Sequence, residues 1–303
     1  MFKFKKIVPA VALSLALTLT ACGNDDAAKD EEKKGADETQ IENKVEEKEQ
    51  IAGAALQDGT YTLTEKDFDD HGWKVNFEIT VADGKITESK FDYVNEEGLL
   101  KSEDEAYQER MADKTGVGPK DFVPALNKQL VEKQAASSVE VVSGATSSSE
   151  TFINYAQQLV QAAQKGDTTP IEIDAKADLK DGVYSLSEKN LDANGWRTTL
   201  SITVAGGKIT EVEYDYLDKD GNKKSENEVY QEKMAEKTGV GPKDFVPALA
   251  NSLVETQDAA SVEVVTGATH SSHAFKMYAA QLINAAQKGD TTPIEVDNIV
   301  FAK

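Results

Sequence analysis

The chain has 303 residues, of which 33 are Lys or Arg and 54 are Asp or Glu, giving a formal net charge of −21, with one cysteine and three histidines. Such acidity excludes a nucleic-acid binder, whose affinity comes from Lys and Arg on the phosphate backbone, and a lone cysteine excludes an intramolecular disulfide, a CxxC pair or a Cys-rich metal site. Hydrophobic residues at 39% suit a globular core and not a polytopic membrane protein, and the length fits about two domains.

Lys3, Lys5 and Lys6 precede an apolar run from Ile7 to Leu19, followed by Thr20, Ala21 and Cys22. The run is too short for a permanent transmembrane helix and carries the flanks of a secretory signal peptide, residues 1–21. A small residue directly before the cysteine resembles the lipobox of bacterial lipoproteins. That resemblance implies diacylation of the Cys22 sulfur, cleavage before it, and anchoring on the extracellular face of the cell membrane. Two acyl chains hold a protein stably where one is marginal. Without the leader's three lysines the net charge goes from −21 to −24.

Residues 22–55 lack apolar periodicity and are crowded with Asp, Glu and Lys, as in Asp30-Glu31-Glu32-Lys33-Lys34. The composition predicts a disordered acidic tether. As a flexible coil it would reach roughly 30 Å.

The remainder is one unit written twice at an offset of 123, without a gap and with well over half of the positions identical. Asp58-Gly59-Thr60-Tyr61 returns as Asp181-Gly182-Val183-Tyr184, Gly72-Trp73 as Gly195-Trp196, and Ser143-Gly144-Ala145-Thr146 as Thr266-Gly267-Ala268-Thr269. A period this long means tandem domains, here 56–174 and 179–297.

Within each unit, Val75, Phe77, Ile79 and Val81 alternate with polar residues as a half-buried strand. Ala82-Asp83-Gly84-Lys85 predicts a tight hairpin, with Ile86–Tyr93 returning. Ser102-x-x-Glu105 and Ser225-x-x-Glu228 read as capping boxes opening a short helix through Met111 and Met234. A second helix follows Pro119, with Phe122, Leu126 and Leu130 inward. Val139–Val142 reads as a strand leading into Ser143-Gly144-Ala145-Thr146. Ser147-x-x-Glu150 reads as the cap of a final helix, whose stripe of Phe152, Tyr155, Ala156, Leu159 and Ala163 ends at Gly166. The class is α+β with a mostly antiparallel sheet and packed helices.

The corner before the final helix is the place for chemistry. Gly144 and Ala145 let backbone and ligand approach closely. Thr146, Ser147 and Ser148 offer hydroxyls beside a helix N-terminus, whose free amides and dipole suit a phosphate. The same residue types also make an ordinary N-capped turn repeated by duplication, and spacing alone leaves both readings open.

Ser143-Gly144-Ala145-Thr146-Ser147-Ser148 and Thr266-Gly267-Ala268-Thr269-His270-Ser271 resemble the [S/T]GAT[S/T] signature of FMN-binding domains. These include the covalent-flavin subunits of the sodium-pumping quinone reductase and related electron-transport complexes, and flavinylated lipoproteins of Gram-positive extracellular electron transfer. The resemblance implies two FMN groups, each joined as a phosphoester to Thr146 or Thr269 by a separate flavin transferase that uses FAD. It implies flavin contacts at Ser143, Gly144, Ala145, Ser147, Ser148, Thr266, Gly267, Ala268 and Ser271. It also implies electron relay from a membrane quinol or NADH dehydrogenase system to extracellular acceptors such as ferric iron. His270 stands where the first copy has Ser147. Trp73, Trp196, Tyr93 and Tyr216 are candidates to lie near the flavin rings, or else pack the sheet.

Other signals are weaker. His270 and His273 have helical i,i+3 spacing, but the first copy has Ser147 and Glu150 there, so no metal site is expected. Thr115-Gly116-Val117-Gly118-Pro119 lacks the lysine of a P-loop; it is a loop approaching the flavin or a turn before a helix. The competing function is a lipid-anchored binding or envelope-interaction protein without redox chemistry.

Overall fold

A computed structural model describes residues 49–302. The leader, Cys22 and the tether as far as residue 48 lie outside the described residues.

Each repeat begins with three antiparallel strands whose alternation is that of the sequence. In the first these are β2 (Gly59–Glu65), β3 (Lys74–Ala82) and β4 (Lys85–Val94). Val75, Phe77, Ile79 and Val81 are all buried, and the expected hairpin joins β3 to β4. The Asp-Gly-x-Tyr motif explains itself here. Asp58 Oδ1 accepts from Gly84 N at 2.9 Å, fastening the hairpin, and Tyr61 Oη donates to Gln57 O at 2.8 Å. Asp181 and Tyr184 repeat both contacts.

Next come α1 (Glu105–Thr115), α2 (Pro119–Lys133) and α3 (Thr146–Lys165). Phe122, Leu126 and Leu130 of α2 face inward, and Phe152, Tyr155, Ala156, Leu159 and Ala163 of α3 are buried against the sheet. Phe77, Phe91 and Phe152 interlock, with ring centroids 4.8–5.2 Å apart. Gly166 ends α3 in the left-handed conformation. A short strand not foreseen from the sequence, β5 (Ile171–Ile173), then pairs parallel with β2, giving the sheet order β4-β3-β2-β5.

The second repeat follows the same course. Its sheet is β6 (Gly182–Glu188), β7 (Arg197–Ala205), β8 (Lys208–Leu217) and β9 (Ile294–Val296), and its helices are α4 (Glu228–Thr238), α5 (Pro242–Thr256) and α6 (Thr269–Lys288).

Three expectations are corrected. Val139–Val142 is not a strand: it follows a single 3-10 turn at Ala136–Ser138, and side chains hold its backbone. Glu140 N donates to Gln129 Oε1, and Val142 N to Ser149 Oγ. Ser102 does not cap α1. Its hydroxyl donates to Asp92 Oδ2, and the cap is Asp104, which accepts from Tyr107 N at 2.9 Å. Asn227 does the same for α4 in place of Ser225. Finally, Gln50–Ala52, assigned to the tether, forms strand β1, which pairs antiparallel with β10 (Val300–Phe301). Ala302 N donating to Glu49 O at 2.8 Å extends the pairing.

The repeats meet through α3 and α6. Gln161 and Gln281 exchange side-chain hydrogen bonds at 3.1 Å. Gln164 Nε2 donates to Asp297 O at 2.6 Å, and its equivalent, Gln287, donates to Ala175 O at 3.0 Å. The reciprocity makes this an approximate two-fold contact.

Candidate functional site

The corner at Ser143–Thr146 is shaped by glycine. Gly144 has φ +82°, the left-handed region. A Cβ there would lie 2.5 Å from Thr115 O and 3.0 Å from Val117 Cγ2. Gly267 meets Thr238 O at 2.4 Å and Val240 at 3.0 Å in the same way. The Thr115–Pro119 loop is the turn before a helix that the sequence allowed, and it also shapes the corner. It turns α1 into α2, with Gly116 closing one helix and Gly118 opening the next, and it packs directly on the corner.

Thr146 is the first residue of α3, not a residue ahead of it. The preceding Ala145 offers no side chain to cap the helix, so Ser147 is not the expected cap. Among the described residues the amides of Thr146, Ser147 and Ser148 have no protein acceptor, while Ser149 Oγ is tied inward to Ala145 O at 2.8 Å. Thr146 and Ser147 are exposed, Ser143 is exposed, and Ala145 is buried. The result is a set of free donors beside an accessible hydroxyl, the arrangement an esterified phosphate needs. Thr269, His270 and Ser271 recreate it on α6, behind Thr266, Gly267 and the uncapped Ala268. These residues fit an FMN phosphoryl end in both repeats.

Beside the corner lies an arrangement that the sequence did not reveal. Lys101 is 6% exposed, and its Nζ stands 5.4 Å from the Trp73 ring, 4.2 Å from Tyr93 and 4.5 Å from Tyr107. Lys224 stands 5.4, 4.3 and 4.4 Å from Trp196, Tyr216 and Tyr230. Burial pushes each ammonium down from the ordinary lysine value. Asp69, Asp92 and Glu65 oppose this at Lys101, and Asp192 and Asp215 at Lys224. The aromatic candidates are all buried, as sheet packing requires, and of the four the two tyrosines reach the helices that follow the corners. Tyr93 interacts with the side chains of Ser148 and Thr151, and Tyr216 with Ser271, in the opening turns of α3 and α6. Burial pushes the Tyr216 phenol up to about 12. The one signal in the sequence was that Lys101 and Lys224 occupy equivalent positions ahead of Ser-Glu.

Trp73, Tyr107 and Met111 also line an open cleft of about 710 Å³, together with His71, Asn95 and Arg110. At the second site Thr269, His270 and His273 border a larger cleft, about 1620 Å³, whose other wall is Gly84–Thr87 and Ser137–Val141 of the first repeat.

The sequence matches the FMN-binding domain family over residues 71–161 and 195–284. A curated relative named 15 kDa lipoprotein, from Treponema pallidum (strain Nichols), is 37% identical over 118 residues, covering 39% of this chain and 84% of its own length. A Clostridium perfringens protein known from a crystal structure is 42% identical, with a TM-score of 0.38 over 40% of this chain and 99% of that one. A Clostridium thermocellum protein solved by NMR is 25% identical, with a TM-score of 0.26 over 36% and 92%.

Proposed function

Because the chain belongs to the FMN-binding domain family, in two tandem copies, we propose that it is a lipid-anchored electron carrier bearing one covalent FMN on Thr146 and another on Thr269. The observation that carries this is the exposed threonine heading an uncapped helix, on a glycine corner too tight for any side chain, present in both repeats. In the attachment step the threonine oxygen displaces AMP from FAD. A phosphoester to the FMN phosphorus forms as the phosphoanhydride breaks, and the hydroxyl proton is released. The free amides of Thr146–Ser148 would hold the phosphoryl oxygens, and the Ser148 and Ser271 hydroxyls lie beside them.

A bound flavin exchanges one or two electrons, which suits relay from a membrane quinol or NADH dehydrogenase system to extracellular acceptors such as ferric iron. The strong acidity favours cationic acceptors. The name of the Treponema relative and the residues before Cys22 support a lipid anchor on the extracellular face, which Cys22→Ala should release.

Intact mass of protein made together with a flavin transferase tests the reading. Wild type should carry two FMN additions, each less one water. Thr146→Ala or Thr269→Ala should leave one, and the double variant none. Unmodified wild type under those conditions would end it.

A further inference from the structure

The caged lysines have no evident structural purpose. Among the described residues no hydrogen bond or ion pair holds the Lys101 or Lys224 Nζ; each is surrounded instead by three aromatic rings. An ammonium taken out of water without a paired carboxylate is costly, and an apolar side chain of similar length would pack there at no such cost. Both repeats nevertheless place the cation at the same distances from equivalent rings, although the residues around the cages differ. Leu100 becomes Lys223, and Phe91 becomes Tyr214, whose hydroxyl donates to Tyr216 Oη at 2.6 Å.

The position of the cage offers a purpose. In the first repeat its Tyr93 wall touches Ser148, two residues beyond Thr146, and its Trp73 and Tyr107 walls border the open cleft. The first cage thus adjoins the opening turn of α3 on one side and the cleft on the other. Resting on the covalent-FMN reading above, we propose that Lys101 and Lys224 are electrostatic positioning residues that favour the reduced state of the flavin on their own repeat. Uptake of two electrons and one proton, from the quinol class of donor, leaves the isoalloxazine with one negative charge. A fixed cation in a water-poor, aromatic-walled site stabilises that charge without having to reorganise. The carboxylates Asp69, Asp92 and Glu65 oppose the effect of burial on Lys101 and so favour its charged form.

The test uses the full chain made with its flavin transferase. Thr269→Ala isolates the first site, and visible-absorbance redox titration with dithionite gives its midpoint potential. Adding Lys101→Met should shift the equilibrium toward the oxidised form at least tenfold, ~30 mV lower for a two-electron couple, while Lys101→Arg should keep the parent value. Thr146→Ala with Lys224→Met or Lys224→Arg repeats the measurement at the second site, which decides the matter if one variant folds poorly. Unchanged potentials in flavinylated Met variants overturn the proposal and leave the attachment reading intact. So does loss of the FMN mass in Met but not Arg variants, since the lysine would then serve attachment. Absence of the FMN mass from the parents refutes the reading and the proposal together.

Discussion

Glu150 Oε1 lies 3.7 Å from His273 Nδ1, and the two residues occupy the same position in the two repeats. Lys276, the counterpart of Ile153, completes the contact with Nζ 2.6 Å from Glu150 Oε1 and a hydrogen bond to Ala260 O at 3.0 Å. Where identical copies would set two like groups face to face, duplication and divergence have produced an acid opposite two bases. The contact between repeats is therefore specified by charge as well as by shape.

Removing the acid should be the harshest single change at this contact. Lys276 is 7% exposed, and Glu150→Ala leaves its ammonium buried without a counterion, a loss of about 3–5 kcal/mol. Glu150→Ala combined with Lys276→Ile, which restores the first repeat's side chain, should recover most of it. Urea denaturation of the two variants checks this, and equal losses would contradict it.

Acid should loosen the same contact. Burial lowers the His273 pKa below its ordinary 6.5; Lys276 and His270 push the same way, and Glu150 opposes them. A base with a depressed pKa binds more protons unfolded than folded, so stability is complete above about 6.5 and declines as pH falls from there toward the folded value. Melting temperature should drop across that window in wild type and less steeply in His273→Gln.

Gly144→Ala should destabilise by more than the ~1–2 kcal/mol of a left-handed backbone alone. The added carbon would strike Thr115 O. Gly98→Ala is the control, with φ +83° and nothing within 4 Å of the added carbon, and should lose only the conformational part. Gly144→Ala should also lose the FMN addition at Thr146 while keeping the one at Thr269, read by intact mass.

Phe152→Ala removes a fully buried ring from the Phe77–Phe91 cluster and should cost about 3–5 kcal/mol in urea denaturation. The equivalent Phe275 packs on Tyr214 with centroids 4.8 Å apart, and its truncation should cost a similar amount.

The elements with strong local signals were legible in the sequence. The duplication, the β3–β4 hairpin, the inner face of α2 and the α3 stripe all follow from period and turn chemistry. Elements defined by distant partners were not. The strand β5 has three residues and exists because β2 offers a parallel edge. Val139–Val142 has a strand's composition, but Gln129 and Ser149 claim its amides. The Ser102 and Ser147 capping boxes had the right spacing; one hydroxyl is drawn to Asp92, and the other follows a helix that starts a residue earlier. At the site, the small residues and the threonine stand out in sequence, whereas a lysine enclosed by Trp73, Tyr93 and Tyr107 does not, because lysine is ordinarily a surface residue.

The pairing of Gln50–Ala52 with Val300–Phe301 fastens the entry of the folded body to its exit. Tension arriving along the amino-terminal segment would fall first on a clasp of three residues against two, and the clasp should part before either four-stranded sheet bears the load. Its opening would release several residues of chain while leaving both repeats intact, so that this junction would act as a mechanical fuse.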